Sequence, residues 1–488
     1  MNNNIKINFY LLVFFAIVSI LSPHIIIPLF ALYLFCAVIA LFIKFIAVIE
    51  TEKTALPTPF TIPFTKEPFV SVIVACCNEP AEIIIKTLEA LSQMYYKNFE
   101  VIVIDNNNTN QSNWQKIKRY CEIVGKKIKF IHVDAIDGFK AGALNYASGL
   151  LDSKSQILAF VDADYIVSPD FLAKTIGYFQ NPDIALVQIP QDYFNINKNN
   201  IGLVLEYRSF FAIYMNQAQQ NKAVTFTGTM GLVRRDVFKK GLKWNEWCIT
   251  EDTEAGLYMN NLGYHNIYID RSYGKGMMPL TYNSLIGQRS RWTYGNMQIF
   301  KKNFLSIITN KKFSLKQKLS FFSQLLAWFH FELIIGLVFF ASSINALIFG
   351  NPASITISSL SALVLFLSLI TDFVYFTVGL KREAKFSDRI KGMLSHYGLL
   401  FSMSYAWVYC LLGGFLGFHV TQKKGGQNSW LSRYMLNEFL IPLLFSAGLL
   451  IDIWIGYTNA YIIFVILLFV LFEVCGILFL NNQFIKKN

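Results

Sequence analysis

The sequence predicts an α/β domain with a mostly parallel sheet, inserted between N- and C-terminal α-helical transmembrane regions. Three observations carry this. Apolar runs of span length cluster at both ends of the chain. Short, branched strands alternate with helix-compatible stretches between them. The composition is 54% hydrophobic over 488 residues, with a mean hydropathy of +0.41, whereas soluble chains are about 45–50% apolar. The net charge of +12 is first explained, in such a chain, by Lys- and Arg-rich cytoplasmic loops, so nucleic acid is not an expected partner. Polyanionic small substrates remain compatible. Cys36, Cys76, Cys77, Cys121, Cys248, Cys410 and Cys475 show no metal-finger spacing and read as reduced thiols.

Taken in order, residues 1–50 read as a hairpin of two spans. The run 9–49 is almost continuously apolar but broken by "SPH" at Ser22–His24, and one span needs about 20 residues. No small-residue site closes a short apolar core, so a cleaved signal peptide is not expected. Residues 51–68 form a linker. From Phe69 the pattern changes: "FVSVIVA" (69–75), "FEVIVID" (99–105), "KIKFIHV" (127–133), "QILAFV" (156–161) and "IALVQI" (184–189) are strand-like, and 81–93 and 140–151 suit helices. Such alternation implies a sheet covered on both faces, in a domain over 69–300. A basic amphipathic interface helix is expected over 301–324. The C-terminal membrane region occupies 325–480, with candidate spans 325–349, 355–380, 436–456 and 459–480, and a cytosolic tail over 481–488. The stretch 393–417 joins two basic loops, so it reads as interfacial or re-entrant, making six spans. A crossing there would instead put Lys423 and Lys424 outside.

Ligands bind open α/β sheets beyond the carboxyl ends of the strands. "VIVID" ends at Asp105, and "AFVDADY" places Asp162 and Asp164 at another strand end. Two carboxylates one residue apart repel unless something offsets them; Mg²⁺ does so with one or two carboxylates and phosphate oxygens, and a solvated loop is the plainer reading. Glu251 and Asp252 in "TED" (250–252) head an apparent helix, where acids also favour the helix dipole. Lys140, in "DGFKAGALNYA", begins a helix among small residues, a setting that suits a phosphate or an ordinary surface lysine. No P-loop and no GxGxxG occurs.

In chain order, Asp105, "DAD" (162–164), "TED" (250–252) and "QRSRW" (288–292), followed by spans, resemble the D, DxD, TED, QxxRW signature of family 2 processive glycosyltransferases, the cellulose, chitin, hyaluronan and curdlan synthases. "FHVTQKKGG" (418–426) resembles the FxVTxK gating loop of bacterial cellulose synthase catalytic subunits, here Phe418, Val420, Thr421 and Lys423 within 418–430. The resemblance implies a GT-A-like domain on the cytosolic side of a multi-pass cell (inner) membrane protein. It further implies a processive, inverting glycosyltransferase that polymerises a UDP-sugar, UDP-glucose first, into a β-glucan and translocates it across the membrane, with Mg²⁺ or Mn²⁺ as cofactor. Glu79, Asp105, Lys140, Asp162 and Arg291 would bind the nucleotide sugar, and Asp164 the metal. Asp252, with Glu251, would be catalytic; Gln288 and Trp292 would hold the acceptor. The implied partners are the donor, the growing polysaccharide and membrane lipid, with room for a periplasmic or export subunit.

The chain departs from the pattern in three places. The proline and tyrosine usual before "NE" are replaced in "ACCNEP", which leaves no aromatic platform for the base at Cys77. Asn106 replaces an acid. No PilZ domain follows the last span, so regulation through one is not expected. The alternatives are a non-processive lipid-linked glycosyltransferase, a chitin or poly-N-acetylglucosamine-type synthase using UDP-GlcNAc, and a catalytically silent export channel or scaffold.

Overall fold

The computed structural model describes residues 23–52, 67–125, 127–414, 416 and 433–484. Its strands are β1 (Phe69–Cys76), β2 (Phe99–Asn106), β3 (Ile128–Val133), β4 (Ser155–Phe160), β5 (Ile166–Val167), β6 (Ile184–Gln188), β7 (Gly231–Arg234), β8 (His265–Tyr268) and β9 (Gly274–Lys275). Seven of them form one sheet in the order β3-β2-β1-β4-β7-β6-β8, while β5 and β9 pair separately. The pairs β1–β2, β1–β4, β2–β3 and β6–β8 are parallel; β7 runs antiparallel to both β4 and β6.

The strands are buried on both faces. Val70, Val72 and Val74 of β1 join Val101 and Val103 in one core, while Ile73, Ile102 and Ile104 join a second on the opposite face. Successive side chains point to opposite faces, so a continuous run of branched residues reports burial on both. The five strands expected from sequence are present within a residue or so. The antiparallel β7 was not expected, because its four residues are too short for a periodicity to register.

Among the described residues, five helices are long and apolar enough to cross a membrane: Ile27–Thr51, Glu332–Phe349, Ile355–Thr377, Met435–Trp454 and Ala460–Asn482. The first belongs to a single helix, Pro23–Glu52, that begins inside the "SPH" break. The other half of the expected hairpin lies outside the described residues. Helices Phe386–Tyr397 and Leu400–Leu411 have 12 residues each. At 1.5 Å per residue each reaches only about 18 Å, short of a ~30 Å hydrocarbon core.

The single interface helix expected over 301–324 is instead two elements. Tyr282–Thr309 is one 28-residue helix carrying "QRSRW" on its first half, and Leu315–Leu325 is a second. The break has a local cause: Ser314 and Gln317 form a capping box, which starts a new helix after Asn310.

Candidate active site

The carboxyl ends of β1, β2 and β4 open into a cleft of about 560 Å³. Asp162 and Asp164 lie just past β4, and both line the cleft. The Asp162 amide donates to Thr229 Oγ1 at 2.9 Å, which fixes the acidic turn against the segment leading into β7. Lys140 Nζ donates to Asp162 Oδ1 at 2.6 Å and to the Gly228 carbonyl at 3.0 Å. Gly228 is left-handed, at φ +82, and a Cβ there would stand 2.4 Å from Asp252 Oδ2. Its bare backbone therefore lies against Asp252 on one side while its carbonyl accepts from Lys140. Only glycine suits both demands.

Glu251 and Asp252 open the helix Glu251–Asn261 and line the same cleft. Burial pushes the Glu251 carboxyl up to about 8, with the Asp252 charge adding to it and Lys140 opposing. Burial likewise pushes Asp252 up to about 6, against the pull of Lys140. For Lys140, burial favours the neutral amine, but Asp162 and Glu251 outweigh it and hold the ammonium charged. Two acids with separated affinities beside a fixed cation suit proton transfer near neutral pH.

"QRSRW" brings its polar ends to this cleft: Gln288, Arg291 and Trp292 line it, and Arg289 does not. Burial pulls the Arg291 guanidinium down to about 10, still charged at neutral pH. The Tyr207 hydroxyl donates to Gln288 Oε1. A second, much smaller cavity, about 60 Å³, shares Asp252, Thr227, Thr250, Gln191 and Trp292 with the cleft. It runs from there toward Lys44, Tyr375 and His396.

The glycosyl transferase family 2 profile matches residues 71–242, and the glycosyl transferase family group 2 profile matches 157–380. The chain carries a family 2 glycosyltransferase domain. It is 28% identical over 232 residues to the probable glucomannan 4-beta-mannosyltransferase 6 of Oryza sativa subsp. japonica, covering 45% of this chain and 40% of that protein. It is 25% identical over 402 residues to the cellulose synthase catalytic subunit [UDP-forming] of Pseudomonas fluorescens (strain SBW25), covering 80% of this chain and 51% of that one. The matches thus span about half or less of these relatives' own lengths. A mannosyltransferase from Pyrobaculum calidifontis, solved in complex with GDP-Man and Mn²⁺, superposes with a TM-score of 0.53 at 18% identity, over 72% of this chain and 97% of that one. That likeness establishes a GT-A-like fold for the glycosyltransferase domain.

Within this domain Glu79, Lys140, Asp162, Asp164, Glu251, Asp252, Gln288, Arg291 and Trp292 share one cleft. Asp105, expected to touch the nucleotide, does not line it. The carboxylate is fully buried at the end of β2, where Oδ2 pairs with His132 Nδ1 at 2.7 Å and Oδ1 accepts from Asn108 at 3.0 Å. With both oxygens engaged, Asp105 braces the floor beneath the cleft. Phe418, Val420, Thr421 and Lys423 lie outside the described residues.

For the metal, the donor set is sparse but suitable. Among the described residues no three His, Cys, Asp or Glu side chains converge on a cation site. Asp164 lies in the cleft wall with Oδ2 held by the Met277 amide at 3.2 Å, and Asp162 already takes Lys140. One carboxylate completed by substrate phosphates matches the way Mg²⁺ and similar ions bind.

Sequence reasoning passed over Arg289. Its side chain is 1% exposed, ion-paired to the buried Glu206, and its guanidinium lies 3.8 Å over the Tyr207 ring and 4.7 Å over Trp292. Glu206 also faces His396 Nδ1 at 4.0 Å. The signal was present in the spacing: residues 289 and 291 are two apart, so on a helix they face opposite sides, and only one can reach the cleft.

Proposed function

We propose that this protein is a processive, inverting β-glycosyltransferase that polymerises a nucleotide sugar at a cytosolic face of the cell membrane and feeds the glycan into its membrane helices. The observation that carries the reading is continuity. The cleft and the second cavity share Asp252 and Trp292, and that cavity in turn shares Lys44, Tyr214 and Ala327 with a third, water-sized cavity lined by Glu332, Ser368 and Asp372 of two membrane-length helices. A chain-extending enzyme needs such a path from its base to the bilayer, and a single-transfer enzyme does not.

In this reading Asp252 accepts the proton of the acceptor hydroxyl as that oxygen attacks the anomeric carbon, a contribution of ~10²–10⁴-fold for a positioned base. One displacement inverts the carbon, so an α-linked donor yields a β-linked product. Lys140 and Arg291 stabilise the charge gathering on the leaving nucleoside diphosphate. Asp164 would hold a divalent cation, which would supply further neutralisation of that diphosphate charge. Trp292, edge-on to Tyr207 and 5.3 Å from Trp328, gives the terminal acceptor sugar an apolar face, and Gln288 a hydrogen bond. Glu79 stands at the nucleoside end.

UDP-glucose is the first choice of donor, supported by the signature motifs and the bacterial cellulose synthase relative. GDP-mannose is the second, because the plant relatives are named for mannosyl transfer and the superposed structure holds GDP-Man. The test is incubation of the purified full chain with UDP-glucose, GDP-mannose and UDP-GlcNAc, reading diphosphate release with and without EDTA. Product length on a gel and digestion by linkage-specific glycanases complete it. EDTA should stop release. Products of a single added sugar would sink processivity, and no release from any donor would sink the transferase reading.

A further inference from the structure

We infer that Phe139 is the face on which the nucleobase of the donor stacks, an inference that rests on the nucleotide-sugar reading above. Phe139 has φ +55, a left-handed conformation that bulky residues rarely adopt, and it directly follows Gly138 at φ +80. Such strain persists where the surroundings impose it, and it gathers at ligand clamps. Burial does not repay it here, because Phe139 keeps 42% of its surface exposed while lining the catalytic cleft.

Its place in the cleft selects the base rather than the sugar. Lys140, the next residue, is tied to Asp162 beyond β4, so the phosphates belong there. The loop before Phe139 is tied instead to the tip of β2: the Ile136 amide donates to Asn107 Oδ1 at 3.3 Å. The strands β2 and β4 flank β1, which sets their tips about 10 Å apart at ~4.8 Å per strand spacing. A nucleoside diphosphate anchored at Asp164 and Lys140 would therefore extend its base toward β2, while its sugar points the other way, to Asp252 and Trp292. Asn107 (φ +53) lines the base end of the cleft, and the side chain of Asn78 (φ +63) donates to its carbonyl at 3.1 Å. Asn tolerates this conformation through its short polar side chain, which Phe lacks. With Cys77 on this wall, Phe139 supplies the aromatic surface that position lacks.

The test uses the full chain in detergent with Mg²⁺, measuring the affinity of UDP, GDP and inorganic pyrophosphate for wild type, Phe139→Gly and Phe139→Trp. Glycine suits φ +55, so Phe139→Gly should fold and melt no lower than wild type. Its affinity for UDP and GDP should fall about tenfold, the order one stacked base is worth, with pyrophosphate binding unchanged. Phe139→Trp should keep nucleotide affinity within about threefold. Equal nucleotide binding by Phe139→Gly and wild type would overturn the inference, and so would a parallel loss of pyrophosphate, which would make Phe139 a brace for Lys140. Wild type that binds neither nucleotide would sink the donor reading itself.

Discussion

Gly295 lies against Thr250: a Cβ on Gly295 would stand 2.5 Å from the Thr250 Oγ1. This is where the helix bearing Gln288, Arg291 and Trp292 meets the residue that precedes Glu251 and Asp252. The acceptor platform and the base are thus spaced by a glycine. Gly295→Ala should push them apart, and a displacement near 1 Å costs on the order of 10²-fold in rate. Turnover should fall by about that factor with UDP affinity retained. Thr250→Ala added to Gly295→Ala should restore part of it.

Gly228 makes a sharper case. A Cβ would meet both a left-handed backbone and the Asp252 carboxylate, 2.4 Å away. Gly228→Ala should lose turnover by roughly the worth of the base, ~10²–10⁴-fold, matching Asp252→Asn. Initial rates of diphosphate release for the two variants would check this; a near-wild-type Gly228→Ala would show that the contact does not hold Asp252 in place.

The pH dependence follows from the same residue. Burial raises Asp252 to about 6, and a base must be unprotonated to act. Turnover at saturating donor should therefore hold above that value and fall about tenfold per pH unit below it. A rate that is flat from pH 7 down to 5 would remove Asp252 from the role.

Glu251 provides a stability test with a defined sign. Its affinity for a proton is raised by burial from the ordinary 4.5 to about 8. The folded state then holds a proton that the unfolded chain releases, so this contribution is full below pH 4.5 and is lost as pH rises through about 8. Glu251→Gln cannot ionise. It should melt like wild type near pH 5 and higher than wild type at pH 8.5, seen in thermal scans of the detergent-solubilised protein.

Arg289 and Glu206 are buried together, at 1% and 3% side-chain exposure. Breaking a buried pair by removing one partner costs about 3–5 kcal/mol, because the other charge is left without compensation. Arg289→Met should be destabilised by about that amount. Arg289→Met with Glu206→Gln should recover most of it while giving shorter products, since the cation under Tyr207 and Trp292 is gone. Product length, read against melting temperature, separates platform from scaffold.

Much of this architecture was legible along the chain. Branched strands, membrane-length apolar runs and acids at strand ends are local patterns, set by side-chain periodicity and by the need of the backbone to bond its own groups in an apolar setting. The capping box at Ser314–Gln317 was equally local and was overlooked, which is why one helix was expected where two exist. Asp105 was harder: its strand-end position is readable, but its pairing with His132 depends on how β2 and β3 align.

The sequence by itself determined an α/β domain between membrane helices and named nine of the side chains that line the cleft, because each sits in a motif of a few residues. Only the tertiary structure decided that Arg289 pairs with the buried Glu206, that Gly228 joins Lys140 to Asp252, and that Phe139 stands exposed in a strained conformation. These relationships connect residues far apart in the chain (Arg289 and Glu206 by 83 positions, Lys140 and Gly228 by 88), and no local pattern encodes a contact that packing alone brings about.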